Sequence, residues 1–354
     1  MYFLDANAFY SYFGRSKLGM SSSPVDENVL EDYLNKITNK SLPTSVFIEI
    51  LTHFRNNSQL LKELITFITK NKLRLFNNIP DYCVSPDELT CVSIMDDVSL
   101  SNYANNMMCK KIDIEAKFVF TFYEITRDLY THYKIESIPN LSKIQKHSIM
   151  TYIGRKGFDE NIKQKFIDEL KSGYEQNNEK KTIKDCYIKE LNEACLISDI
   201  IVEGCRVCED QNVDIIEHIK NIYQTSINSG LDGKNTTMKY INSAFSADEG
   251  FLTMAKAKIA GMFRKGKYTN SQIKYLQDVM FTAWYNREQK LQKNDIFDMF
   301  CVGCMDVIEP SSDACILKDT TSYLISFDKV MKKFIGEVKP INLQIIEKLQ
   351  NTTI

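Results

Sequence analysis

Four acidic residues stand in four short apolar motifs, two near each end of the chain. They are Asp5 in MYFLDANAF, Glu49 in LPTSVFIEIL, Asp298 in NDIFDMFCVGC and Asp328 in SYLISFDKVMKKF. Carboxylates that crowd together repel one another unless a dication neutralises them. If the two chain ends fold together, these acids would form a site for Mg²⁺ or Mn²⁺, ions that support phosphodiester hydrolysis.

An α/β core is needed to position these acids, and the pattern of apolar residues predicts one. Strands are expected at 2–4, 72–76 and 321–328, a short strand or turn at 41–45, and a last strand at 338–343. Helices are expected at 26–38, 46–54 and 59–71, with Ser45 as the N-cap of the second. Asp5 and Asp328 would follow strands, whereas Glu49 and Asp298 would lie in the first turns of helices. In such sheets, ligands bind beyond the carboxyl ends of the strands.

The middle of the chain has a different pattern. A turn-rich segment with Pro80 and Pro86 is followed by almost continuous helical periodicity from about 103 to 290. We therefore expect the first part of an α/β core at 1–95, a large all-α insertion at 96–290, and the second part of the core at 291–354.

Composition narrows the class of protein. The 354 residues carry a net charge of −2, which gives no overall attraction to nucleic acid or membrane. The sequence contains no run of about 18 apolar residues, so a membrane span is not expected. The N-terminus lacks the basic residues with which a signal peptide begins, so a signal peptide is not expected either. Ten cysteines with apolar neighbours are typical of reduced thiols in a cytoplasmic protein. P-loop, Rossmann glycine and G-x-S-x-G motifs are absent from the sequence.

The four acidic motifs resemble those of the PIN domain, a small α/β metal-dependent nuclease fold. The first strand motif of the family corresponds to FLDAN, and its second acidic motif corresponds to PTSVFIEIL. Its third motif corresponds to NDIFDMFCVG, and its fourth corresponds to LISFD. The resemblance covers about 1–76 and 293–354. Two departures from the family pattern are long spacings, one between Glu49 and Asp298 and one between Asp298 and Asp328.

The resemblance implies a parallel sheet flanked by helices, a bound Mg²⁺ or Mn²⁺, and endonuclease activity, usually on RNA. Bacterial members often act as toxins or in antiphage defence. The implied catalytic and metal-binding residues are Asp5, Glu49, Asp298 and Asp328, supported by Asn7, Asp295 and Ser326. Asp295, Asp306 and Asp313 compete with Asp298 for the third position, and Asp298 is preferred because MFCVGC after it forms an apolar helical face.

A basic and aromatic segment in the helical middle is the predicted substrate-binding region. Such residues suit phosphate contact and base stacking, although a solvated helix face has the same composition. Its basic members are Lys256, Lys258, Arg264, Lys265 and Lys267. The insertion could also mediate homo-oligomerisation or bind a regulatory protein.

Two other classes of function remain open. Arg127 and His132 fit the R-x4-H motif of HEPN ribonucleases, which cleave RNA without metal. Alternatively, the α/β core could be the scaffold of a non-catalytic adaptor. Two C-x-x-C pairs, Cys205 with Cys208 and Cys301 with Cys304, lie in apolar helical stretches, which favours core packing over zinc binding.

Overall fold

The computed structural model describes residues 1–79, 95–109, 268–282, 293–307 and 322–351, with shorter stretches between 111 and 260. The chain divides into two compact units. One contains Met1–Lys111, Met262–Met280 and Asn294–Ile354, and the other contains Ile112–Gly261 and Phe281–Lys293. Both chain ends therefore belong to the same unit.

A parallel sheet forms the centre of the first unit. Its strands among the described residues are β1 (Tyr2–Leu4), β2 (Lys40–Pro43), β3 (Arg74–Phe76) and β4 (Tyr323–Ile325). They are arranged in the order β3-β2-β1-β4, and every neighbouring pair is parallel. Phe3, Leu4, Leu42 and Leu324 have no exposed surface, which identifies the sheet as the core. The predicted α/β class with a parallel sheet is confirmed.

Helices connect and cover these strands, as parallel pairing requires. They are α1 (Ala6–Phe13), α2 (Glu27–Asn35), α3 (Thr44–His53), α4 (Ser58–Lys70), α5 over 97–109, α6 (Asn270–Tyr275), α7 (Lys293–Val302), α8 (Lys329–Val338) and α9 (Pro340–Asn351). A π-helical stretch, Leu276–Phe281, continues α6, and a 3₁₀ turn, Gly303–Asp306, follows α7.

Two local predictions are wrong. The predicted strand at 338–343 is the junction of α8 and α9, because Pro340 has the fixed φ that suits the first position of a helix. Ser45 is not the N-cap of α3, which begins at Thr44 after Pro43. Instead, the Ser45 backbone N–H donates to Oδ1 of Asn78 at 3.0 Å, so a side chain beyond β3 satisfies this helix end.

The second unit is described only in short helical stretches. One covers 143–148, where Lys146 Nζ forms an ion pair with Glu136 Oε2 at 3.0 Å. Among the residues described in either unit, no helix has both the length and the apolar character to cross a membrane.

Candidate functional site

The sheet order changes direction at the boundary between β1 and β4. From β1 the chain continues through β2 to β3 on one side, whereas β4 pairs on the other side. Ligands of open parallel sheets bind at such a switch point, beyond the carboxyl ends of the strands. Asp5 follows β1 directly, and Asp328 lies just beyond β4. These two predicted residues therefore flank the position where the topology favours a ligand.

Asp5 is the most constrained of the predicted acids. Its side chain is buried, with 5% exposed, and its Oδ1 accepts from the Asn7 backbone N–H at 2.8 Å. Its Oδ2 accepts from the hydroxyl of Ser326, a fully buried residue between β4 and Asp328. Burial raises the pKa of Asp5 from 3.8 to about 6, the hydrogen bonds from Ser326 and Asn7 oppose this rise, and the Asp328 charge adds to it.

Both strand-end acids also cap helices. Asp5 is the N-cap of α1, and Asp328 is the N-cap of α8, where its Oδ1 accepts from the N–H groups of Val330 at 2.9 Å and Met331 at 3.0 Å. Capping explains an Asp at these positions, but asparagine or serine caps a helix equally well without a charge. The buried charge of Asp5 is thus not explained by its role as a cap.

Glu49 and Asp298 lie one turn further along their helices than predicted. Each is in the second turn, Glu49 in α3 (Thr44–His53) and Asp298 in α7 (Lys293–Val302), whereas Asp295 occupies the first turn of α7. Glu49 and Asp298 are both half-buried, so neither is a fully solvated surface acid. The prediction that these acids open their helices is wrong.

The acids nevertheless converge in electrostatic terms. Burial raises the pKa of Asp298 well above its ordinary value, and the charges of four other acids raise it further: Asp5, Glu49, Asp295 and Asp328. These five carboxyl groups come from α3, from α7 and from the positions just after β1 and β4. The set, which we call the acid cluster, contains all four predicted catalytic residues and Asp295.

Three neighbours of the acid cluster were not predicted from sequence. The Tyr275 hydroxyl donates to Oδ2 of Asp298 at 3.5 Å, a long hydrogen bond. Cys301 is buried, and burial together with the nearby Cys304, Asp5, Asp298 and Glu49 raises the pKa of its thiol. Tyr10 has a hydroxyl whose pKa is raised by burial and then by Glu49 and Asp5. Tyr10 and Tyr275 carry no motif, and the C-x-x-C motif of Cys301 indicated core packing and not a place beside the acids.

The acid cluster is not arranged as a finished metal site. Among the described residues, no group of three or more His, Cys, Asp or Glu side chains is placed so that it could hold a metal ion. Asp5 and Asp328 direct oxygens toward local donors, and like charges favour separated side chains. The ligand atoms of the acid cluster nevertheless suit a hard dication, because all five members offer carboxylate oxygens. Holding one would require the carboxylates to come closer together than they are in this structure.

The supporting residues named from sequence have defined positions. Asn7 lies in the first turn of α1, where its backbone N–H binds Asp5, and Ser326 Oγ also accepts from the Asp328 backbone N–H at 3.2 Å. Cys301 and Cys304 are free and buried in the core.

Lys256 is the described member of the predicted substrate-binding segment. It lies on a helical stretch of the second unit and is half-buried. The remaining named positions lie outside the described residues: Lys258, Arg264, Lys265, Lys267, Arg127, His132, Cys205 and Cys208.

Comparison of the chain with protein-family models, with curated proteins and with solved structures found no match.

Proposed function

We propose that this protein is a PIN-like, Mg²⁺- or Mn²⁺-dependent endonuclease with RNA as its expected substrate. The observation that carries the proposal is the acid cluster, in which four other carboxylates raise the pKa of Asp298. Burying several acids against one another destabilises the fold. Groups whose environments perturb their pKa in this way concentrate at functional sites.

The position of the cluster supports the same proposal. Asp5 and Asp328 flank the switch point of a parallel sheet, where this class of fold binds its ligands. The two chain ends belong to one compact unit, which agrees with a core split by an intervening helical body. A role in toxicity or antiphage defence rests on the family resemblance alone.

The protein's own residues would prepare the site for a cation. Ser326 and the Asn7 backbone hold the Asp5 carboxyl in one orientation. Asp5, Glu49, Asp298 and Asp328 would hold the ion, with Asp295 adding negative charge beside Asp298. Because burial raises the pKa of Asp5 and Asp298, a cation must displace protons from them. A bound dication would neutralise charge on the phosphate and lower the pKa of the attacking water.

The direct test is cleavage by the full-length chain. Purified protein would be incubated with labelled RNA and DNA in Mn²⁺, in Mg²⁺ and in EDTA, alongside Asp5→Asn and His132→Ala variants. We expect cleavage with either metal, none in EDTA, and at least a 100-fold loss in Asp5→Asn while His132→Ala retains activity. Cleavage that persists in EDTA and depends on His132 would instead support the HEPN mechanism.

An inactive protein would support the adaptor hypothesis under one condition. If calorimetry detected no Mn²⁺ binding and neither RNA nor DNA were cleaved, the acid cluster would not be an active site. The proposal of a metal-dependent nuclease would then be wrong.

A further inference from the structure

The Tyr10 hydroxyl is a buried hydrogen-bonding group that has no partner among the residues that the structure describes. Tyr10 has 6% of its surface exposed, and among the described residues its hydroxyl makes no hydrogen bond. Leaving such a group unsatisfied destabilises a protein, so each case requires an explanation. A ligand oxygen that is absent from the free protein is one explanation.

The Tyr10 ring packs against the end of α3, the helix that carries Glu49 of the acid cluster. It contacts the rings of His53, at 6.1 Å between centroids, and Phe54, at 5.8 Å. Both belong to the end of α3, and Glu49 lies one turn before His53 on the same face of the helix. The hydroxyl is close enough to Glu49 and Asp5 for their charges to raise its pKa. It therefore remains a protonated donor at physiological pH.

Arg15 brings a cation to the same place. Gly14, with a φ of 105°, turns the chain after α1, and the Arg15 side chain returns toward the first turn of that helix. There its Nη1 donates to Oδ1 of Asn7 at 3.5 Å, while its Nε donates to the Ser21 carbonyl at 3.0 Å. Asn7 and Tyr10 are three residues apart and share a helix face. The Arg15 charge lowers the pKa of Tyr10, the effect expected of a guanidinium on the same side of α1.

We propose that the Tyr10 hydroxyl and the Arg15 guanidinium form a phosphate subsite beside Asp5 and Glu49, which takes a backbone phosphate of a nucleic acid. The proposal deepens the proposed function and rests on it for the identity of the ligand. A guanidinium and a neutral hydroxyl supply the donors that phosphate oxygens accept. They also offset the repulsion that the acid cluster exerts on an approaching polyanion.

Tyr12 provides a matched control on the same helix. It is as buried as Tyr10, with 5% exposed, but its hydroxyl lies 3.1 Å from Oδ1 of Asn35 and 3.0 Å from Oδ1 of Asn71. It also accepts from Lys40 Nζ at 3.2 Å. The Tyr12 hydroxyl thus has internal partners, whereas the Tyr10 hydroxyl has none in the described part of the chain.

The experiment compares Tyr10→Phe and Tyr12→Phe for Tm and for cleavage of RNA in Mn²⁺. We expect Tyr10→Phe to keep or raise Tm while kcat/KM falls about 10- to 100-fold, because one hydrogen bond to a charged oxygen is lost. Tyr12→Phe should lower Tm by roughly 2 to 8 °C and leave kcat/KM unchanged. Tyr10→Phe cleaving RNA within twofold of the wild type would overturn the proposal.

A second measurement tests Arg15 without requiring cleavage. Fluorescence anisotropy in EDTA would follow the binding of a short labelled single-stranded RNA at several salt concentrations. We expect Arg15→Gln to weaken binding about 10-fold and to reduce the slope of log affinity against log salt by about 0.7, the contribution of one phosphate contact. Arg15→Lys should restore the slope, because the charge is retained.

The two measurements separate this inference from the proposed function. A wild-type protein that cleaves neither RNA nor DNA refutes the nuclease, and the anisotropy slope then decides the subsite alone. If Tyr10→Phe is less stable than expected, the anisotropy slope still decides whether the phosphate subsite exists. An unchanged slope in Arg15→Gln, or no binding of RNA by the wild type, would overturn the phosphate subsite.

Discussion

The hydroxyl of Ser326 donates a hydrogen bond to Oδ2 of Asp5 across 321 residues of sequence. The backbone joins the same two segments, since the Asp5 N–H donates to the Ile325 carbonyl at 3.1 Å. The first and last parts of the chain therefore build one edge of the sheet together. Ser326 fixes the carboxyl group on which the proposed chemistry depends.

Ser326→Ala should shift the pH dependence of activity. The hydrogen bond from Ser326 lowers the pKa of Asp5, so its loss should raise that pKa by about one unit. The acidic limb of the pH–rate profile should then move upward by a similar amount. Ser41→Ala is the matched control, because Ser41 is a buried serine of β2 whose hydroxyl has no partner among the described residues. An unshifted limb in Ser326→Ala would contradict the role given to this hydrogen bond.

Stability without divalent metal should fall as pH rises through the weakly acidic range. Burial raises the pKa of Asp5 to about 6, so between pH 3.8 and 6 the folded state retains a proton that the unfolded chain releases. The contribution of Asp5 to the free energy of unfolding therefore decreases as pH rises through that window. Relative to wild type, Asp5→Asn should gain up to about 3 kcal/mol above pH 6 and nothing near pH 4.

Urea unfolding in EDTA at several pH values would measure this gain. Asp26→Asn is the control, since Asp26 also caps a helix, α2, but is not buried. It should not reproduce the gain. A difference between wild type and Asp5→Asn that is constant with pH would show that burial of Asp5 does not perturb its ionisation.

Binding of Mn²⁺ should release protons. Burial raises the pKa of Asp5 to about 6, so this carboxyl is partly protonated at pH 6.5, and burial shifts the pKa of Asp298 in the same direction. A cation must displace those protons, and its affinity should therefore increase with pH. Calorimetry at pH 6.5 in two buffers of different ionisation enthalpy would detect the release. Observed enthalpies that are equal in the two buffers would mean no net proton release and would contradict the assignment of these acids as ligands.

Asp298 and Asp295 compete for the third position, and substitution should separate them. Asp298 is the acid whose pKa responds to every other member of the acid cluster, and Tyr275 donates to it. Asp298→Asn should lower cleavage at least about 100-fold, whereas Asp295→Asn should lower it less than about 10-fold. Metal-dependent cleavage assays on both variants would measure the two losses. The reverse order would make Asp295 the third ligand.

Sequence predicted those parts of the site that depend on local pattern. An apolar run that ends in an acid predicts a strand with a carboxylate at its edge, and Asp5 and Asp328 lie at such edges. The parallel sheet follows from strands alternating with helices. For Glu49 and Asp298 the helices were predicted correctly, but both acids lie in the second turn and not in the first, because periodicity defines a helix face better than a position along the helix.

Other features depended on contacts between distant residues and could not be predicted. Asn78 satisfies the Ser45 N–H from a different strand connection, so no local pattern indicates the true start of α3. That the Tyr10 hydroxyl has no partner among the described residues is likewise a property of the packed fold. Tyr10 and Tyr12 look equivalent in the sequence, and only their surroundings distinguish them.

The most direct test of the central claim is anomalous scattering from a crystal of the full chain soaked in Mn²⁺. We expect a peak at the end of β1 and β4, with oxygens of Asp5 and of at least two among Glu49, Asp298 and Asp328 about 2 to 2.5 Å away. That result would mean that the acid cluster closes around a cation. A soaked crystal without a peak there, or with Mn²⁺ bound only elsewhere, would contradict the claim that these carboxylates form a metal centre.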